Sequence, residues 1–216
     1  MKKFLSLLIL SMFILSVNVS AENLQREEIP VILENDATVQ GLAELGILKG
    51  TGAGYELSRN ITRAEAVALI FRVHHEVTGT IGMPSPEFSD LDGHWAYKEV
   101  TAAKKIGIIE GVGDGKFEPD RTVTGKEFAK ILMSTLGYKD ITIENVYERA
   151  LSAELLTNNF TKSVVSFNMP LLRSDAVRLL WGIFLARCPD GEMYKEKLIR
   201  CGKFTEDDYI GTLIAH

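Results

Sequence analysis

Between Ile61 and Glu65 the chain reads Ile-Thr-Arg-Ala-Glu, which places a hydroxyl, a guanidinium and a carboxylate within four residues at the start of an apolar helical run. Thr62 and Glu65 have the spacing of a capping box. In that motif the hydroxyl accepts from a first-turn amide and the carboxylate reaches back to the amide of the cap. Arg63 does not fit this reading, because a cation in the first turn faces the positive end of the helix dipole, where anions are favoured. An external anion would supply the missing reason, since first-turn amides and a forked guanidinium can hold its oxygens together. A solvated surface arginine is the alternative. The chemistry on offer is reversible anion recognition, with no bond made or broken.

The pattern recurs twice, altered each time. Val123-Thr124-x-x-Glu127 keeps the capping box, but Gly125 stands where Arg63 does and Lys126 follows as a substitute cation. Leu171-Leu172-Arg173-Ser174-Asp175 keeps the arginine, loses the threonine and shortens the carboxylate. Trp95 has two readings, stacking of its face on a sugar ring or packing beside Val100. Trp181, inside an apolar run, reads as core. His74 and His75, which follow the last turn of their helix, are assigned no role. The candidate ligand-binding set is therefore Arg63, Arg173, Lys126, Trp95, Thr62 and Glu65.

No grouping of Ser, His and Asp, of Cys and His, or of close carboxylates falls on positions that the repeat would bring together, so no catalytic residue is assigned and the chain reads as non-enzymatic. The glycines at 50, 52 and 54 and at 111, 113 and 115 follow helices, not buried strands, which argues against a phosphate loop. Asp90, Asp92, Asp114 and Asp120 are loop carboxylates, yet they lack the alternating ligands and final bidentate Glu of a calcium loop. No metal and no cofactor is expected.

These residues must be positioned by helical hairpins. Phe88 to Leu136 reads as one complete unit: a helix capped by Asp92, with Ala96, Val100 and Ala103 on one face, stopped by Gly107 in a left-handed turn. A glycine-rich loop follows, then a second helix opening at Thr124. Gly46-Ile47-Leu48 and the glycines after it align on Gly107-Ile108-Ile109 and theirs, and Val146, Ala150 and Ala153 begin a weaker third copy in which Phe160 to Met169 replaces the glycine loop. The division is 1–21 signal peptide, 22–78 first repeat, 79–87 Pro- and Gly-rich linker, 88–138 second repeat, 139–186 divergent third repeat and 187–216 a small helical tail. No hairpin can bury its apolar face alone, so the expectation is an all-α, pseudo-threefold bundle with minimal strand content. Extended pieces at 55–57 and 116–118 are expected to pair weakly.

The chain has 216 residues, and its start sets the compartment. Lys2 and Lys3 precede an apolar run that ends in a Val-Ser-Ala cleavage pattern. Without that leader 22 basic residues face 29 acidic ones, a net charge of −7. An acidic exported protein is a poor nucleic-acid binder, and no later segment is apolar enough to span a membrane. Cys188 and Cys201, in an exported chain, form one disulfide or stay free thiols; both readings stand.

Phe88-x-Asp90, His94-Trp95-Ala96, Gly107-Ile108-Ile109-x-Gly111, Gly115-x-Phe117-x-Pro119 and the intact Ile61-Thr62-Arg63-Ala64-Glu65 resemble the S-layer homology (SLH) domain. The resemblance implies a three-repeat module of bacterial envelopes. Its partner would be a secondary cell-wall polysaccharide attached to peptidoglycan, often carrying pyruvate ketals, whose carboxylate is an anion of the kind Arg63 could hold. It implies a secreted, wall-located, non-covalent anchor with Arg63 as a ligand residue. Since the copies depart from the pattern, one or two working sites are expected in place of three. Two other functions stay open: an envelope structural or assembly protein whose helical faces bind an S-layer or other envelope protein, and a small envelope enzyme or regulator on the same scaffold. With about thirty residues after Ala186, no added catalytic module is expected.

Overall fold

The computed structural model describes residues 35–78, 88–166, 168–202 and 205–207. The leader at 1–21 and the linker at 79–87 lie outside the described residues. Among the described residues eight helices follow in order: α1 (Ala37–Glu44), α2 (Arg63–Thr78), α3 (Tyr97–Lys105), α4 (Gly125–Thr135), α5 (Val146–Ser152), α6 (Asn159–Ser166), α7 (Arg173–Gly182) and α8 (Tyr194–Arg200). The fold is all-α, and among the described residues the extended backbone amounts to isolated bridges.

Each repeat begins with a short helix whose apolar stripe is fully buried: Val39 and Leu42 in α1, Val100 and Ala103 in α3, Val146 and Ala150 in α5. Gly46 and Gly107 end the first two of these at φ values of 68° and 77°, a region where a side chain is strained and glycine is not. The longer second helices α2, α4 and α7 complete the core with Ile70, Phe128, Leu132 and Leu180. Among the described residues no helix is long and apolar enough to cross a membrane.

The three second helices are joined at their entrances. The Ile61 amide donates to the Leu171 carbonyl at 3.0 Å, the Leu171 amide to Val123 at 2.8 Å and the Val123 amide to Ile61 at 3.2 Å. Three equivalent residues of three repeats thus form a closed ring of hydrogen bonds, flanked by the bridges Asn60–Leu172, Thr62–Thr122 and Thr124–Pro170. Of the pieces expected to pair, Lys116 bridges Gly113 within its own loop, and the bridges that join repeats sit several residues after 55–57 and 116–118. Their partners belong to other repeats, so no local signal marks their register.

Two capping boxes form as their spacing requires. Glu127 N–H donates to Thr124 Oγ1 at 3.2 Å and Thr124 N–H to the Glu127 carboxylate at 2.9 Å, and Thr62 with Glu65 repeats this at 3.3 and 3.1 Å. Replacing Thr124 by Ala is expected to cost about 1 kcal/mol, read as a lower denaturant midpoint with an unchanged slope. The third helix has no such box, and Leu172 caps α7 without a side-chain bond.

Three expectations need correction. Asp92 does not cap α3: the helix starts at Tyr97, and the Ala96 amide is taken by His94 Nδ1 at 3.1 Å. The stretch expected as a loop replacement in the third repeat is mostly helix, because Asn158 Oδ1 accepts from the Thr161 amide at 2.9 Å while Thr161 and Val165 turn inward. Trp181 is half-buried at the core's edge, edge-on to Phe184 with ring centres 5.6 Å apart. In the tail, Tyr194 and Leu198 of α8 are buried, and Tyr194 meets His74 Nδ1 at 3.1 Å, which ties α8 to α2.

Candidate functional site

The two first-turn arginines turn into the neighbouring repeat. Arg63 Nε donates to the Phe117 carbonyl at 2.9 Å and Nη2 to the Glu110 carbonyl at 3.3 Å, with the guanidinium 4.6 Å from the centre of the Phe117 ring. Arg173 does the same one repeat on: Nε to Tyr55 O at 2.8 Å and Nη2 to Lys49 O at 3.0 Å. The glycine-rich loops bend through left-handed residues, Glu56 and Glu118 among them, and present carbonyls inward. The carbonyl oxygens of the next repeat therefore offset the unfavourable position of these cations on their own helices. Arg63 is 8% exposed and Arg173 4%. Burial lowers both pKa values from the ordinary arginine range, and the nearest carboxylates act against that.

The third guanidinium nitrogen of each arginine faces a cleft. Nη1 of Arg173 lies 3.6 Å from Glu65, and Nη1 of Arg63 lies 3.8 Å from Glu127. Each glutamate is also gripped by a second arginine at the lip. Arg59 bonds Glu65 at 2.5 and 2.7 Å, and Arg121 bonds Glu127 at 2.6 and 3.4 Å. Burial pushes both carboxyls up, yet the arginine and cap-amide hydrogen bonds win and hold them below the usual range. Each cleft is thus a guanidinium–carboxylate–guanidinium triad at a capped helix start, in which the lip arginine also pairs with a second glutamate, Arg59 with Glu56 at 3.2 Å and Arg121 with Glu118 at 2.9 Å.

The first groove has a volume of about 580 Å³ and contains Lys49, Thr51, Arg59, Thr62, Glu65, Arg72 and Arg173 in its walls, with Trp95 and Asp120 contributed by the second repeat. Trp95 is 57% exposed. The second, of about 370 Å³, is lined by the matching positions Glu110, Arg121, Glu127 and Arg63, with Lys130, Tyr138 and Lys139. Four cations face two carboxylates in the first groove. In the second, four cations face Glu110, Glu127 and Asp140.

Among the described residues the third interface between repeats does not repeat this arrangement. At the matching positions stand Gly125 for the arginine, Asp175 for the glutamate and Met169 for the lip arginine. Helix α6 occupies the place of the glycine loop and comes so close that a Cβ on Gly125 would lie 2.2 Å from the Val164 carbonyl oxygen. The lost arginine and the lost glycine loop are two sides of one packing change.

Of the six candidate residues, Thr62, Glu65, Trp95 and Arg173 meet in the first groove, Arg63 lines the second, and Lys126 lines neither. The sequence reading missed Arg59, Arg121, Arg72 and Lys49. Arg59 and Arg121 had a signal, since both stand six residues before the capping glutamate in aligned repeats. Asp90 is spent on structure, accepting from the Phe117 amide at 2.9 Å and the Glu118 amide at 2.8 Å. Among the described residues no three His, Cys, Asp or Glu side chains cluster as a metal site. Cys188 is buried and Cys201 exposed, and both are free thiols.

Residues 35–67 and 87–129 match the family model of the S-layer homology domain. The chain is 28% identical over 130 residues to the S-layer protein sap of Bacillus anthracis, covering 58% of this chain and 16% of that protein. It is 27% identical over 148 residues to the middle cell wall protein of Brevibacillus brevis, covering 67% and 14%. A third relative, an uncharacterized cell wall amidase of Bacillus anthracis, is 29% identical over 110 residues, covering 50% and 20%. The chain thus spans a fifth or less of the length of these relatives.

Proposed function

This chain is an S-layer homology protein in its first two repeats, and on that footing we propose that it is a cell-surface anchoring module that binds an acidic, pyruvate-ketal-bearing secondary cell-wall polysaccharide without covalent chemistry. The observation that carries this reading is the first groove. Its arginines ring a capped helix start beside an exposed tryptophan, so one face offers charge to a carboxylate and the other an aromatic plane to a sugar.

The mechanism follows from the geometry. A ketal carboxylate enters where Arg59 and Arg173 already surround Glu65, and forked donors suit its two oxygens better than a point charge does. Arg173 is fixed by loop carbonyls and Arg59 by Glu56 and Glu65, so little rotamer freedom is lost on binding. Two grooves on one compact unit raise the effective concentration of the second contact once the first is made, which lets a modest single-site affinity hold a chain to a polymer. The names of the relatives, an S-layer protein, a cell wall protein and a cell wall amidase, accord with a shared surface module joined to varied partners.

Retention on purified sacculi, with and without their secondary polymer, tests this. The wild-type chain is expected to sediment only with polymer-bearing sacculi. Trp95→Ala should leave the melting temperature unchanged, because the ring is mostly in water, and weaken retention about fivefold, the worth of one aromatic contact. Equal retention on stripped sacculi, or a Trp95→Ala chain that binds as well as wild type, would sink the reading.

A further inference from the structure

The first groove carries a cation that the repeat pattern does not provide. Arg72 lies on α2 ten residues past Thr62, and its guanidinium reaches the carbonyl of Ile47, two residues from the Lys49 carbonyl that holds Arg173, so that its charge is felt at Arg173. The alignment that sets Arg63 over Gly125 sets Arg72 over Ser134, which lines the second groove. One groove therefore has a guanidinium at this position and the other a hydroxyl.

The surroundings of Arg72 differ from those of the triad. Its Nη1 donates to the Ile47 carbonyl at 3.0 Å, and among the described residues no carboxylate lies within ion-pair distance of it. Burial holds its pKa below the ordinary arginine value, and Glu99 of α3 acts on it only through space in the opposite sense. Arg59 and Arg173, by contrast, share Glu65. The apolar Ala68 and Leu69 line the same groove, as does Trp95. A half-buried guanidinium fixed by a carbonyl, without a carboxylate partner, keeps its charge available to a ligand.

We propose that Arg72 forms a second anion subsite, so that the first groove takes a glycan segment bearing two acidic groups, one at Arg59 and Arg173 and one at Arg72. The inference rests on the polysaccharide reading above and adds the pairing of charge on its ligand. The apolar lining suits the ring that carries the two acidic groups, and the second groove, with Ser134 at the position of Arg72 and Lys130 at that of Ala68, lacks this pairing. The two grooves then read different stretches of one polymer.

The chain holds two tryptophans, so Trp181→Phe leaves Trp95 as a fluorescent reporter confined to the first groove. The probes are polymer fragments: a single ketal-bearing sugar with one carboxylate, and an oligosaccharide with two. The wild-type groove is expected to bind the dianionic fragment about tenfold more tightly than the monoanionic one. Arg72→Gln, which keeps a donor for Ile47, should abolish that preference by weakening dianion binding about tenfold, while Arg72→Lys should keep the preference within about threefold. Equal affinities of the two fragments for the wild-type groove overturn the proposal without any variant, and so does a preference that survives Arg72→Gln. In either case monoanion binding leaves the polysaccharide reading intact. If neither fragment perturbs Trp95 or binds by calorimetry, both readings fall.

Discussion

Arg173→Ala is expected to cost about 3 kcal/mol of stability and to disable the first groove at the same time. The side chain is buried, donates to two loop carbonyls of the first repeat and lies 3.6 Å from Glu65. Hydrogen bonds from a charged donor contribute about 1.5–3 kcal/mol each, and breaking a buried ionic contact by removing one partner costs about 3–5 kcal/mol. Water entering the vacated space satisfies the carbonyls in part, which places the net near the lower bound. For a domain of this length the loss lowers the melting temperature by roughly 10 °C. Arg173→Lys should not rescue it, because one ammonium cannot reach the Tyr55 and Lys49 carbonyls and still face Glu65. Thermal melts of the three chains, paired with sacculus retention, check both halves. A variant that melts with wild type would show that the clasp is ornamental.

The second large effect is expected at Gly125, where restoring the family residue should harm the protein. Gly125→Arg rebuilds the Thr-Arg-x-Glu pattern on paper, yet the first carbon of any side chain would sit 2.2 Å from Val164 O and 2.9 Å from its carbonyl carbon. Those are backbone atoms of α6, so the clash is relieved only by moving the helix. Overpacking of this kind costs about 1–3 kcal/mol and more when backbone must shift, against about 1 kcal/mol gained in helix propensity. Gly125→Ala is expected to lose about 2 kcal/mol net. Gly125→Arg should displace α6, seen as fast amide exchange confined to residues 159–166. An arginine variant that is as stable as wild type and binds a third equivalent of polymer would overturn the account of the third interface.

The sequence carried the repeat, both capping boxes and the two C-terminal glycines, because each rests on residues within a few positions of one another. The direction of Arg63 was out of reach. Its partners, Glu110 and Phe117, are 47 and 54 residues away, and nothing in the first turn of α2 says that a neighbouring loop will supply carbonyls. The same distance hid the change at the third interface. Gly125 read as a lost ligand and the 160–169 stretch as a lost loop, whereas they are one contact. Asn158 with Thr161 carried a legible helix start that alignment to a loop obscured. Arg59 and Arg121 were legible in principle, as aligned cations before aligned glutamates, but a rim residue has no role until the groove is seen.

The ring formed by Ile61, Leu171 and Val123 has a consequence for how such chains can change. In an open repeat array each unit touches only its neighbours, so units are added or dropped one at a time and the ends need caps. Here every amide and carbonyl of the triangle is already spent on another repeat. Insertion of a fourth unit would find no donor to receive it, and deletion of one would orphan two. The triangle is closed at three, and variety has to come from within: one repeat can differ in its loop and ligand positions, as the third does, while its place in the triangle is kept.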